Sequence, residues 1–208
     1  MTLKLTYFDI RGLAEPIRLL LNDQEIPFED NRISREEWAE MKSTMIFAQL
    51  PCLHIGTETI VQSAAILRHL GRIYGLNGST ESETSFIDMF SEGLRDLRTK
   101  YFTMIKTDYE DGKEAYITET LPGELLRIEK LFCTFNNGEN FVSGDKLSYA
   151  DYALFELLDI HLILTPTALN GTPALKRFHG RFAERPNMRL YLNKRAELNP
   201  FVSGNGKQ

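Results

Sequence analysis

Cysteine is scarce in this chain. Its 208 residues hold two, Cys52 and Cys133, far apart and outside any Cys-x-x-Cys. That excludes a disulfide framework and makes a reducing compartment the simpler setting. The histidines, His54, His69, His161 and His179, show no metal-ligand spacing, so no metal site is expected. Positive charge is not in excess: 24 Lys and Arg stand against 29 Asp and Glu, for a net −5. The electrostatic footprint of a nucleic-acid or anionic-membrane binder is therefore missing. No apolar run is long enough to cross a bilayer. The N-terminus enters a strand-like alternation without the apolar stretch of a signal peptide. A cytoplasmic protein with no membrane and no nucleic-acid partner is the expectation. Internal repeats and low-complexity tracts are absent as well.

What is present is an ordinary globular composition in a length that suits two small domains. Leu3, Leu5 and Tyr7 alternate with Thr2, Lys4 and Thr6, which predicts a strand. After Arg11-Gly12, the residues Leu13, Ala14, Ile17, Leu20 and Leu21 recur at helical spacing, with Pro16 near the helix start. Residues 26–33 read as a second strand, and 36–42 as a short helix with the only tryptophan, Trp38. Two short apolar runs, 52–55 and 59–61, flank Gly56-Thr57-Glu58 as a hairpin. Ile66, Leu67, Leu70, Ile73 and Tyr74 mark a helix that stops at Gly75. This succession over 1–76 is a small α/β unit of thioredoxin-like character.

A polar linker follows at 77–83, and strand signals then vanish. Residues 86–109 form a long amphipathic stretch, and Leu121-Pro122-Gly123 opens another helix. Ser148-Tyr149-Ala150-Asp151 fits a capping box. The helix it opens runs to Leu164 and is apolar nearly all round, as at a domain centre; His161 on it reads as a core histidine. Residues 173–182 and 188–194 add helical segments to an all-helical unit over 84–208. The fold class is thus α/β plus all-α.

Gln62-Ser63 stands between an apolar strand and a helix. A helix start leaves amide groups free, and with the macrodipole they suit a carboxylate or phosphate. A serine there is equally an ordinary N-cap. Pro51, in Gln49-Leu50-Pro51, cannot donate to a strand ladder and often marks a cis bond in a tight turn. Together these features suit a small, peptide-like, anionic ligand.

Several spaced motifs point further. Tyr7-Phe8-Asp9-Ile10-Arg11-Gly12, Gln49-Leu50-Pro51, Gln62-Ser63, Asp96-Leu97-Arg98, the capping box and the terminal Asn205-Gly206-Lys207-Gln208 resemble a cytosolic glutathione S-transferase, most of all the pi class. The likeness runs from residue 3 to the last. It implies two domains, a homodimer, and a site that takes glutathione as co-substrate without a bound cofactor. Tyr7 matches the family's catalytic tyrosine. Trp38 and Lys42 match the pair that grips the glycine carboxylate of glutathione. Leu50, before a cis Pro51, matches the residue whose main chain meets the cysteinyl part. Gln49, Gln62 and Ser63 match the γ-glutamyl binders. Asp96 matches an acid that reaches across the dimer, and Phe47 an aromatic key at the dimer interface. Phe8, Ile10, Phe102, Lys106 and Gly204 fall at the electrophile pocket. Three positions depart from the pi pattern: Leu13 replaces an arginine near the γ-glutamyl end, Lys106 a tyrosine, and Phe102 a smaller aliphatic residue.

The chemistry follows from the thiol. Its unperturbed pKa of about 8.5 leaves little thiolate at neutral pH. A hydroxyl that donates to sulfur stabilises the anion. A shift of roughly two units needs about 2.7 kcal/mol, within reach of one hydrogen bond to a charged group. The expected reaction is attack of glutathione thiolate on hydrophobic electrophiles, a detoxifying transfer. The same thiolate would serve a peroxidase or isomerase. A non-enzymatic binder of hydrophobic ligands or partners is the other alternative, and Tyr7 together with Lys42, Gln62 and Ser63 speaks against it.

Overall fold

The structure, a computed structural model, describes residues 3–208; Thr2, read above as part of the first strand, lies outside them. Period-two alternation produces β1 (Leu3–Phe8), which buries Leu3, Leu5 and Tyr7. It runs parallel to β2 (Phe28–Ile33) and antiparallel to β3 (Cys52–Ile55), which pairs with β4 (Glu58–Val61). The sheet order is β2-β1-β3-β4. A parallel pair needs a crossover, and α1 (Glu15–Asp23) supplies it. This helix starts two residues later than the apolar spacing suggested, with Pro16 in its first turn. α2 (Arg35–Met41) follows β2, and Ser34 caps it. The Glu37 N–H donates to Ser34 Oγ at 3.1 Å, and the Ser34 N–H donates to the Glu37 carboxylate at 2.7 Å. α3 (Ser63–Ile73) packs after β4.

The linker is shorter than its composition suggested. α4 (Glu81–Thr107) begins inside the 77–83 stretch. The Glu83 N–H donates to Thr80 Oγ1 at 3.2 Å, and the Glu83 carboxylate accepts the Ser79 N–H at 2.6 Å. Residues that read as a polar spacer are therefore a helix cap. α5 (Tyr109–Ala115) and a wide helical turn at Tyr116–Thr120 lead into α6 (Leu121–Phe132). α7 (Tyr149–Leu164) lies at the centre of the helical unit, as its composition predicts, and α8 (Pro173–Ala183) and α9 (Pro186–Leu198) pack around it. Asp151 takes the N–H and the hydroxyl of Ser148, each at 2.8 Å, and the Val142 N–H at 2.8 Å. Burial pushes the Asp151 carboxyl up to about 6.

The acids that interrupt the apolar α7 have partners. Arg11, just past β1, meets Glu156 at 2.6 Å and Asp159 at 2.7 Å. Arg195 of α9 meets Glu15 at 3.1 Å and Asp159 at 2.8 Å. These buried pairs fix the turn after β1 to α1, α7 and α9. His161 is the expected core histidine: Nδ1 donates to Leu157 O at 2.6 Å, and Nε2 lies 2.8 Å from Tyr116 Oη. Burial lowers its pKa to about 4, so the ring is neutral at physiological pH.

Candidate active site

Tyr7 sits one residue before the end of β1, and only 7% of it is exposed. Its oxygen accepts the Leu13 N–H at 3.1 Å. Among the described residues, nothing accepts the proton on that oxygen. The ring lies edge-on to Phe8 at 5.5 Å between centroids, and the Arg18 guanidinium is 6.0 Å from its centre. The hydroxyl opens on a cavity of about 890 Å³. The turn that aims it is held on three sides. The Gly12 N–H donates to Val202 O at 3.1 Å, Arg98 donates to Gly12 O, and the Leu13 N–H meets Tyr7. Gly12 has φ +47, and a Cβ there would lie 2.5 Å from Tyr7 Oη.

Phe8, Ile10, Phe102, Lys106 and Gly204 all line this cavity, although they come from β1, the loop after it, α4 and the C-terminal tail. Phe8 meets Trp38 edge to face at 6.0 Å, which places the tryptophan on the same wall. Lys42, Gln49, Leu50, Gln62 and Ser63 are not part of the lining. Of these, Gln49 and Gln62 meet directly. The Leu50-Pro51 peptide is cis, and Gln62 Nε2 donates to Gln49 Oε1 at 2.7 Å. Ser63 is the first residue of α3, while Gln62 holds the cap position at φ +70, ψ 112 with no side-chain cap bond. The plain N-cap role considered for Ser63 is thus not what the structure has. A strained non-glycine residue ahead of an uncapped helix start leaves the α3 amides available to an anion.

Asp96 is exposed on α4 and away from the cavity lining of its own chain. The surface pairing open to it does not form, because Arg95 pairs with Glu92 and Lys100 with Glu124. Phe47, at 73% exposure, is the most exposed large apolar side chain among those described. Cys52 is buried and Cys133 half-buried, and burial pushes both thiols up. Neither has the low pKa of a reactive thiol. No cluster of three or more potential metal ligands occurs among the described residues.

Three participants escaped the sequence reading. The Leu13 main chain is one; the departure at that position concerned only its side chain. Arg98 is another: it lines the cavity, and its guanidinium lies 5.3 Å from the Phe102 centroid. Arg98, Phe102 and Lys106 follow one another at four-residue intervals, a legible signal for one helix face. Arg35 is the third, and it donates to Gly204 O at 2.5 Å across the cavity mouth.

The site and the fold have relatives. A family model described as the glutathione S-transferase N-terminal domain matches residues 3–72, and one described as the glutathione S-transferase C-terminal domain matches 95–195. The chain is 69% identical to glutathione S-transferase P of Caenorhabditis elegans over all of both chains. It is 40% identical to glutathione S-transferase P of Homo sapiens over 97% of each. A solved structure of the pi-class glutathione S-transferase of Onchocerca volvulus superposes with a TM-score of 0.99 at 56% identity, covering 100% of each chain. This chain belongs to the glutathione S-transferase family, in its pi class, and is a glutathione transferase.

Proposed function

We propose that Tyr7 keeps the glutathione thiol ionised for attack on hydrophobic electrophiles, in a detoxifying cytoplasmic homodimer. One observation carries this reading. The Tyr7 oxygen is already supplied with a proton from Leu13 N–H, so its own proton is available to an acceptor in the cavity. A thiolate is such an acceptor, and donation to it lowers the thiol pKa. Holding the sulfur and an electrophilic carbon in one cavity supplies the rest, by proximity.

Residues 1–76 bind glutathione in this proposal, 77–83 join the domains, and 84–208 add much of the electrophile pocket. Trp38 and Lys42 take the glycine carboxylate, the Leu50 main chain pairs with the cysteinyl part, and Gln49, Gln62 and Ser63 hold the γ-glutamyl end. Leu13 brings no charge there, so the α3 amides carry more of that contact. Asp96 serves the site of the neighbouring subunit, and Phe47 keys the dimer. Phe8, Ile10, Phe102, Lys106 and Gly204 receive the electrophile.

The test is the titration of bound glutathione, followed by thiolate ultraviolet absorbance. Tyr7→Phe should raise the bound thiol pKa by about one to two units and lower kcat/KM at neutral pH roughly 10- to 100-fold. A parent enzyme whose bound thiol titrates as it does free in buffer would overturn the proposal.

A further inference from the structure

We propose that Gln208 is a positioning residue for Tyr7: its side-chain oxygen holds the Val202 main chain against Gly12 and so keeps the phenolic hydroxyl aimed at sulfur. The inference rests on the reading above, in which that hydroxyl donates to the thiolate of bound glutathione.

The turn after β1 leans on the C-terminal tail, and a segment without regular structure is no support unless something fixes it. The Arg11 N–H donates to Phe201 O at 2.8 Å, and the Gly12 N–H donates to Val202 O at 3.1 Å. These two rungs join the turn to residues 201–202, which belong to no helix or strand. Val202 is 1% exposed, so its own N–H needs a partner inside the protein. Gln208 supplies it: Oε1 accepts the Val202 N–H at 3.0 Å. Val202 is thus gripped at both main-chain groups, by Gln208 on one and Gly12 on the other. The residue after Gly12 is Leu13, whose N–H meets Tyr7 Oη at 3.1 Å. Three hydrogen bonds therefore connect Gln208 to the phenol.

Gln208 can hold Val202 because it is itself held. Tyr109 Oη donates to Gln208 O at 2.9 Å, and the Lys113 ammonium donates to the same Tyr109 oxygen at 2.9 Å. Between its two ends the tail closes on itself. Ser203 Oγ lies 2.6 Å from both Asn205 Oδ1 and Lys207 O, and Gly206 turns the chain at φ +71. Asn205 Nδ2 donates to Ile105 O at 2.9 Å, which seats this loop on α4. Lys207 points elsewhere: its ammonium pairs with Glu110 and lies 4.9 Å from the Tyr109 ring centre. Loss of the Gln208 side chain would leave a buried N–H without its acceptor, and the relief available is a shift of Val202, with Gly12 and Leu13 following.

The experiment titrates the thiol of bound glutathione in the purified enzyme by thiolate ultraviolet absorbance, with no electrophile present. Gln208→Ala should raise that pKa by about half a unit to one unit, less than Tyr7→Phe, because the hydroxyl is displaced and not removed. With an aryl halide, kcat/KM should fall roughly 3- to 10-fold below the thiol pKa and converge with the parent above it. Gln208→Glu keeps an acceptor oxygen at the same reach and should restore both. Gln208→Ala added to Tyr7→Phe should move the pKa no further, since both act on one interaction. Lys207→Gln, a change in the same tail, should leave the parental pKa. A parental thiol pKa in Gln208→Ala would overturn the inference, whatever becomes of the melting temperature. So would an equal rise in Lys207→Gln, no recovery in Gln208→Glu, or a further shift on top of Tyr7→Phe. If Tyr7→Phe itself leaves the bound thiol at the parental pKa, it is the proposed function that fails.

Discussion

Replacing Gly12 by alanine should raise the pH at which bound glutathione ionises. An added Cβ would lie 2.5 Å from both Tyr7 Oη and Tyr7 Cε1, and 2.9 Å from Cζ. The phenol is not a flexible tip that swings away, since it is buried and packed edge-on to Phe8. Either the ring moves and loses the Leu13 N–H, or the turn moves and takes that N–H with it. In both cases the hydroxyl is no longer aimed. In the proposed mechanism its bond to a thiolate contributes roughly 1.5–3 kcal/mol, which is about one to two pKa units. The expected result is a pH–rate profile for kcat/KM displaced upward by that amount. Activity should fall roughly 10- to 100-fold at neutral pH and converge with the parent in alkali. Alanine also pays for φ +47, at about 1–2 kcal/mol, so stability falls too. Gly12→Asn separates the two effects. Asparagine tolerates the left-handed region but carries the same Cβ, so it should keep more stability and show the same displaced profile. Adding Gly12→Ala to Tyr7→Phe should change little, because both remove one interaction. A Gly12→Ala enzyme with the parental profile would refute the reasoning.

Arg98→Leu leaves the buried Gly12 carbonyl without its donor, which should cost about 1–3 kcal/mol in urea unfolding and displace the pH profile upward; Arg98→Lys should recover part of both. If Phe47 keys a homodimer as proposed, Phe47→Ser removes a side chain worth roughly 1.5–3 kcal/mol of burial on each side of it, so sedimentation should show dissociation at least about a hundredfold easier. If Asp96 works across that interface, the monomer should bind glutathione weakly, and full activity from a monomer would remove Asp96 from the site. His161 is held neutral with a folded pKa of about 4, below its usual value of 6.5. The unfolded chain then binds the extra proton between those values, so stability rises with pH across that window and is lost as pH falls through it. The loss is on the order of 3 kcal/mol at 1.36 per unit. Asp151, raised to about 6, acts in the opposite direction below that pH, so the comparison of parent with His161→Asn is the measurement. The variant should flatten the dependence between pH 4 and 6.5, the window set by the cited shift.

The parts of the fold that were legible are those fixed by local chemistry. Alternation at Leu3, Leu5 and Tyr7 gives β1, and the Pro51 turn has its cis bond. The near-continuous apolar run to Leu164 lies where such a run must, with its acids answered by Arg11 and Arg195. Phe8, Ile10, Phe102, Lys106 and Gly204 were grouped by the family resemblance, and they line one cavity. What stayed hidden depends on how distant segments meet. Arg35 reads as one more surface charge in a capped turn, and only the returning tail puts a carbonyl against it. The stretch 77–83 is rich in Ser, Thr and Glu, a composition shared by spacers and helix caps alike.

Leu13 shows the limit most clearly. Read as a side chain, it is a lost positive charge, and the site looks weakened. Read as a backbone unit, it supplies the proton that orients Tyr7, at 3.1 Å. Every residue except proline carries that same donor. Exchange of side chains at position 13 can therefore alter the cavity wall without touching the Leu13 N–H contact on which the proposed activation of sulfur rests. The part of position 13 that varies and the part that works on Tyr7 are different atoms. Substitutions at Leu13, Arg35, Phe102 or Lys106 would accordingly change the cavity wall, while the Tyr7–Gly12–Arg98 contacts depend on other atoms.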